Sequence, residues 1–147
     1  MNSRGTHPLG RNPIFGELPL ELSENLRTVN PWWIGEEMLR QPSFHRWPFK
    51  RLYRLLKGGL TPAVVLRGPR RVGKTVLLRQ IIQGLLAEDV VGKRILYVPF
   101  DELPTFRGIK EPILAILRWF EKQILGESLN QAANANRPAY ILSLIHI

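Results

Sequence analysis

The hydrophobic residues of this chain occur in short apolar runs separated by longer stretches with helical spacing. Residues 63–66 and 94–100 form two such runs, and a third begins at residue 139. Apolar runs without strict alternation are typical of strands buried on both faces of a sheet. Residues 76–86 are apolar around most of a helix, which indicates packing against that sheet. Strand, helix and strand in succession predict an α/β fold with a parallel sheet.

The helix between the first two runs is predicted to extend from residue 73 to about residue 88. Its inward positions are expected to be Val76, Leu77, Ile81 and Leu85. A second, shorter helix is predicted over residues 48–59, where apolar residues recur at helical spacing and two glycines follow. Its other face carries the cations Lys50, Arg51, Arg54 and Lys57. This basic face is either solvated or in contact with nucleic acid.

The remaining segments are assigned from composition and spacing. A further helix is predicted over residues 112–125, and the Asn- and Ala-rich residues 128–138 are predicted to be a linker. Residues 1–31 contain four prolines and are predicted to form an extended arm. Trp32 and Trp33 follow it, and we expect them to anchor the arm on the domain because two large indoles are costly to leave in water. The alternative is that they stack on a base.

Composition limits the class of protein. A chain of 147 residues with 44% hydrophobic composition can bury one domain core. It contains no cysteine, which excludes disulfides and thiolate metal sites, and its three histidines show no metal-ligand spacing. The first residues lack the apolar core of a secretion signal, and no apolar run approaches membrane-spanning length. The sequence therefore predicts a soluble cytoplasmic protein with no membrane partner.

The positive charge is concentrated in one part of the chain. The net charge is +9, yet residues 38–87 contain no acidic residue and eleven basic ones, which lie between positions 40 and 79. Part of this excess can complement the charge of a nucleoside triphosphate. The rest predicts contact of the span 40–79 with nucleic acid or with an acidic protein partner.

Residues 68–75 match the phosphate-binding (Walker A) loop pattern, in which two glycines five positions apart are followed by Lys and Ser or Thr. An apolar run precedes the loop and an amphipathic one follows, which is the strand–loop–helix context that the motif requires. The candidate nucleotide-binding residues are Gly68, Pro69, Arg70, Arg71, Val72, Gly73, Lys74, Thr75 and Val76.

The chemistry of this loop follows from its residue types. Gly68 can leave the strand in a conformation closed to residues with a Cβ. The backbone N–H groups of residues 71–75 can then converge on phosphate oxygens at the positive end of a helix. Lys74 is the catalytic candidate, placed to reach the β- and γ-phosphates, and the Thr75 hydroxyl would ligate Mg²⁺.

Residues 142–147 are unusual for their position. All six match a translation of a transposon-end adaptor that is used to prepare sequencing libraries. We therefore expect them to be an artefact, joined to the natural sequence one or two residues into a strand.

Three segments together resemble one known family. They are the loop with its flanks at residues 66–78, a strand with an acidic pair at residues 94–102, and the Asn-Pro-Trp-Trp sequence at residues 30–33. They are similar to the bacterial and archaeal ATP-binding proteins of AAA type that carry a C-terminal DUF4143 domain. The likeness covers about residues 29–141. Val76 departs from the family pattern, in which threonine is usual at this position.

The resemblance implies a three-layer P-loop NTPase fold with a parallel sheet, of which this chain holds the N-terminal half. Together with the arm and the adaptor match, it divides the chain into three parts. They are an N-terminal arm with a tryptophan anchor (1–47), a partial AAA-type P-loop ATPase domain (48–141) and the artefact (142–147). It also implies ATP and Mg²⁺ as cofactors and an unknown protein partner. In the family, the next strand ends in an Asp-Glu pair that assists Mg²⁺ and polarises the attacking water. That pair is absent here, so we expect ATP hydrolysis in the intact protein and binding alone in this chain.

Two alternatives stay open. Asp101 follows a hydrophobic strand and could hold Mg²⁺ through water in a kinase- or GTPase-like P-loop protein, where that strand neighbours the loop strand. The acid-free basic span instead favours a nucleic-acid-binding module that a nucleotide switches.

Overall fold

Five α-helices and two strands make up the regular structure of the part of the chain that the computed structural model describes, residues 18–59, 66, 69, 72–103 and 109–144. In chain order the elements are α1 (Leu20–Val29), a 3₁₀ turn (Pro31–Ile34), α2 (Pro48–Gly58), α3 (Lys74–Ala87), a second 3₁₀ turn (Gly92–Arg94), β1 (Ile95–Pro99), α4 (Pro112–Phe120), a π-helical turn (Glu121–Leu125), α5 (Leu129–Asn134) and β2 (Tyr140–Leu144). Within these residues, no helix has both the length and the apolar character needed to cross a bilayer.

The two strands form a parallel pair. Their register aligns Ile95 with Tyr140 and Pro99 with Leu144, and the chain crosses from one to the other through α4 and α5. All five residues of β1 are buried, which agrees with its uninterrupted apolar sequence. The predicted α/β class is therefore confirmed. The strand predicted at residues 63–66 lies, apart from Leu66, outside the described residues, so the three-layer arrangement stays a prediction.

The edge of β1 that faces away from β2 is covered by a side chain. Asn30 Oδ1 accepts a hydrogen bond of 2.8 Å from the backbone N–H of Tyr97, and Asn30 Nδ2 donates one of 2.9 Å to the Tyr97 carbonyl. The same Nδ2 donates to the Leu26 carbonyl at 2.8 Å. The Asn30 amide, which is fully buried, thus gives Tyr97 the two hydrogen bonds that a neighbouring strand would give.

Trp32 and Trp33 continue this cover along β1. Their Nε1 atoms donate to the Ile95 carbonyl at 3.0 and 2.7 Å. The ring of Trp33 also lies 5.9 Å, centre to centre, from the rings of Trp119 and Phe120. Both indoles are buried in the chain's own core.

Two segments predicted to lack regular structure are helical. The supposedly extended arm forms α1 over Leu20–Val29, because Leu22 and Leu26, four residues apart, are both buried on one face. The supposed linker contains α5, which begins at Ser128. The Ser128 Oγ accepts from the Gln131 N–H at 3.1 Å, while Gln131 Oε1 accepts from the Ser128 N–H at 3.0 Å. This reciprocal cap nucleates a helix in an otherwise polar stretch.

The other predicted elements lie where the apolar spacing puts them. Helices α2 and α3 and strands β1 and β2 fall within a few residues of their predicted bounds, and α4 with its π-helical turn fills the predicted segment 112–125. One inward position is wrong: Val76 is exposed, because it lies on the outer side of the first turn of α3. Strand β2 extends through Leu144, with Leu142 and Leu144 buried. The adaptor origin of residues 142–147 stays a prediction.

Gly92 lies against the arm so closely that a larger residue does not fit. A Cβ atom at this position would overlap the backbone carbonyl oxygen of Trp32. We expect Gly92→Ala to lower the free energy of unfolding by roughly 2–3 kcal/mol, because backbone on one side or the other must move.

Urea denaturation followed by circular dichroism measures this effect, with Gly58→Ala as the control. A Cβ at Gly58 would have no neighbour within 4 Å. Alanine is also the better helix former, so the control should be as stable as the wild type or slightly more so. Equal stability of the two variants would show that the arm does not sit against this turn.

Candidate functional site

Helix α3 begins at Lys74 with its first turn open. Gly73, the residue before it, has φ 88° and ψ 16°, a left-handed conformation that favours glycine. The helical hydrogen bonds begin with the Leu77 N–H, which donates to the Gly73 carbonyl at 3.0 Å. The N–H groups of the preceding turn have no intrahelical acceptor, so they and the helix dipole give this end a partial positive charge.

Lys74 adds a full positive charge to this end of α3. Only 6% of the residue is exposed, which is unusual for lysine in a protein. Thr75 is half-buried beside it, and Pro69, Val72 and Val76 are exposed. Gly68, Arg70 and Arg71, which were also predicted to bind nucleotide, lie outside the described residues. The structure therefore brings Gly73, Lys74 and Thr75 together, and the complete phosphate cradle stays a prediction.

Arg46 also lies against the loop, although the sequence did not single it out. Its Nη1 donates a hydrogen bond of 2.6 Å to the Val72 carbonyl. A Cβ atom at Gly73 would lie 3.1 Å from the Arg46 Cζ. The guanidinium is thus in contact with the backbone immediately before α3.

A cavity of about 530 Å³ opens beside this loop. Its walls are largely apolar and include Leu52, Leu55, Leu66 and Leu77, with the cations Arg46, Arg51 and Lys74 and the indole of Trp47 also lining it. Trp47 is 85% exposed, in contrast to the buried Trp32, Trp33 and Trp119. The volume of the cavity lies in the range of small-molecule binding sites, which are mostly apolar with a few polar groups.

Gln80 connects the arm to α3. This side chain is 4% exposed, and its Nε2 donates to the carbonyls of Pro42 and Phe44 at 2.8 and 2.9 Å. The segment that leads to Arg46 and Trp47 is therefore fixed on the helix that begins at the loop. Sequence reasoning missed this residue because a single glutamine within an apolar helix carries no motif.

Asp101 lies in the turn after β1 and is exposed. Within the described residues, no three His, Cys, Asp or Glu side chains are grouped so that they could hold a metal ion. A role for Asp101 as a magnesium ligand therefore stays a prediction.

The basic face predicted for α2 is exposed, and one of its charges is paired. Lys57 Nζ lies 3.0 Å from Glu88 Oε2, and this hydrogen bond lowers the pKa of the Glu88 carboxyl. Lys50, Arg51 and Arg54 are exposed without an ion pair among the described residues. Contact of the span 40–79 with nucleic acid stays a prediction.

A Walker A sequence whose lysine opens a helix, next to a parallel pair of strands, is typical of P-loop nucleotide-binding proteins. The family model described as AAA domain matches residues 60–140, more than half of the chain. The chain therefore belongs to the AAA domain family, and this match supports an AAA-type P-loop ATPase domain. Neither the curated proteins nor the solved structures gave a match.

Proposed function

We propose that this chain binds ATP with Mg²⁺ at the loop 68–76, as the nucleotide-binding part of an AAA-type P-loop ATPase. The observation that carries the proposal is the buried Lys74 at the open end of α3, after a left-handed Gly73, in a chain of the AAA domain family. A polyphosphate would accept hydrogen bonds from the loop N–H groups and neutralise the lysine. Thr75 would contribute its hydroxyl to Mg²⁺.

In this proposal the base of the nucleotide occupies the 530 Å³ cavity beside the loop. Gly73, Lys74 and Trp47 all line this cavity. We therefore expect a ligand with its phosphates at the loop to reach the indole with its base. When a base stacks on the exposed indole, water leaves the two aromatic faces that come into contact. The leucine side chains of the cavity provide an apolar surface for a purine.

Trp47→Ala should therefore weaken the binding of ATP about fivefold or more, because base–aromatic stacking contributes about 1–3 kcal/mol. Isothermal titration calorimetry measures the dissociation constant. Inorganic tripolyphosphate has no base, so its affinity should be the same for the variant and the wild type. Trp47→Phe keeps an aromatic face, so its ATP affinity should lie between those of the wild type and Trp47→Ala. Unchanged ATP affinity in Trp47→Ala would place the base elsewhere.

The intact protein, in our proposal, has the three-layer P-loop fold, an Asp-Glu pair after the strand that here is β2, and a DUF4143 domain. The resemblance supports this assignment, and so does the parallel pairing of β2 with β1. Lys74 and the loop amides would stabilise charge that develops on the transferred phosphoryl group. Without the acidic pair that positions water, we expect this chain to bind ATP and not to turn it over.

The order of strands favours this assignment over the kinase- or GTPase-like alternative. That alternative requires the loop strand to neighbour β1. One edge of β1 pairs with β2, and the other is covered by Asn30, Trp32 and Trp33. This arrangement supports a more distant loop strand, as in the AAA-type proteins that the chain resembles.

Calorimetric titration of the folded chain with ATP, with and without Mg²⁺, tests the proposed function. We expect a dissociation constant in the micromolar to millimolar range that is lower with Mg²⁺. A parallel titration with GTP reports the base preference. No binding heat from folded protein would overturn the proposal, and steady ATP turnover would contradict the binding-only part of it.

A further inference from the structure

A strap, defined as residues 42–46, runs from the middle of α3 to the phosphate-binding loop. Gln80 holds its beginning through the Pro42 and Phe44 carbonyls. Its end is fixed by the Phe49 N–H, which donates to the Arg46 carbonyl at 3.0 Å at the start of α2. The Arg46 side chain thus projects to the loop from a backbone that is held on both sides.

The charge at this position needs an explanation. Arg46 adds a second cation to a region that already contains Lys74 and the positive end of α3. Residues 38–87 contain no acidic residue, and no carboxylate of the described residues forms an ion pair with Arg46. Arg46 and Lys74 line the same cavity. Like charges repel, so this arrangement is most favourable when an anion lies near both.

The geometry of Arg46 also leaves donors available for such an anion. A guanidinium carries five N–H donors in a planar fork. One contact, to the Val72 carbonyl, orients the group beside the loop. A phosphate bound at the loop N–H groups would lie next to the rest of the fork, which matches phosphate oxygens in pairs.

Resting on the proposed function, we propose that Arg46 is a further phosphate-binding residue of the nucleotide site and that Gln80 is the positioning residue that holds it there. The guanidinium binds the triphosphate from the strap, next to Val72 and Gly73. The strap therefore belongs to the binding site, although it precedes the loop by more than twenty residues.

The test compares ATP with AMP in the 147-residue chain, with Mg²⁺ present. Arg46→Met should weaken ATP binding about tenfold or more, because a charge-assisted hydrogen bond is lost, and should change AMP binding about twofold or less. Arg46→Lys should recover part of the ATP affinity because it keeps the charge without the fork. Arg40→Met, which removes an exposed arginine of the same arm, should bind both nucleotides like the wild type.

Gln80→Met, which keeps the size of the side chain, should reproduce the selective loss of ATP affinity to a lesser extent. Near-ultraviolet circular dichroism and the melting temperature report whether each variant is folded. If Arg46→Met does not fold, Arg46→Lys decides, since the ratio of ATP to AMP affinity must fall there too.

Unchanged or tighter ATP binding by Arg46→Met would overturn the proposal, and so would an equal loss for both nucleotides, which a purely structural strap predicts. If Gln80→Met binds ATP like the wild type, its positioning role is overturned. If the wild type binds no ATP, the proposed function fails and the role of Arg46 fails with it. If the wild type binds ATP and a Lys74 variant does not, a negative result for Arg46 concerns Arg46 alone.

Discussion

Lys74→Met is expected to weaken the binding of ATP and Mg²⁺ by about a hundredfold, a loss of roughly 3 kcal/mol. Among the described residues of the loop, Lys74 carries the one charged side chain, and it is buried at 6% exposure. Its ammonium group would interact with phosphates where little water screens the charge, so this contact should be strong. Thr75 and the loop N–H groups remain in the variant and account for residual binding.

The same substitution should leave the fold intact. Methionine has a similar length and fills the same space without the charge. In the absence of nucleotide, the melting temperature of Lys74→Met should therefore stay close to that of the wild type. Addition of ATP should raise the melting temperature of the wild type more than that of the variant, since the stabilisation by a bound ligand grows with its affinity.

Isothermal titration calorimetry measures the affinity and differential scanning calorimetry the melting temperature. The matched control is Lys93→Met, which replaces an exposed lysine of the 3₁₀ turn before β1 and should retain wild-type ATP binding. Wild-type affinity in Lys74→Met would mean that the nucleotide does not reach this end of α3, and the proposed function would be lost.

Asn30→Ala is expected to lower the free energy of unfolding by about 4 kcal/mol. The substitution leaves the buried N–H and C=O of Tyr97 without the partners that Asn30 supplies at 2.8 and 2.9 Å. Each buried backbone group without a hydrogen bond costs about 1–3 kcal/mol. Because domains of this kind are stable by only about 5–15 kcal/mol, the variant should be close to the limit of folding.

Urea denaturation monitored by circular dichroism measures this loss. Asn30→Asp keeps the size of the side chain but lacks the donor for the Tyr97 carbonyl and adds a buried charge, so it should be at least as unstable. Asn130→Ala, on an exposed position of α5, is the control and should change stability by less than about 0.5 kcal/mol. If Asn30→Ala were as stable as this control, β1 would not depend on the amide at its edge.

Apolar spacing predicted the larger elements because their buried residues recur with the period of a helix or form an unbroken apolar run. Helix α3 and strand β1 belong to this group, as do α2, α4 and β2. Helices α1 and α5 were missed because their stability depends on a few local features, such as the Leu22–Leu26 pair and the Ser128 cap. The prolines of the first segment and the asparagines of the second led to a prediction of irregular structure instead of these helices.

The candidate site was only partly predictable for a different reason. The Walker A motif is contiguous, so the sequence alone proposes Gly73, Lys74 and Thr75 as candidate residues. Arg46 and Gln80 make their contacts across separations of 26 to 38 residues, and Asn30 reaches Tyr97 across 67. Such contacts exist only after the chain has folded, and no periodicity or motif marks the residues that make them.

The cover on β1 also limits how this part of the protein can associate. An open sheet edge accepts an extended peptide by strand addition, through a row of unpaired backbone groups. Here the outward N–H and C=O of Tyr97 and the carbonyl of Ile95 are already bonded to Asn30, Trp32 and Trp33. A partner that approaches β1 from this side must therefore bind the helical surface of the arm, since no backbone ladder is left for it to join.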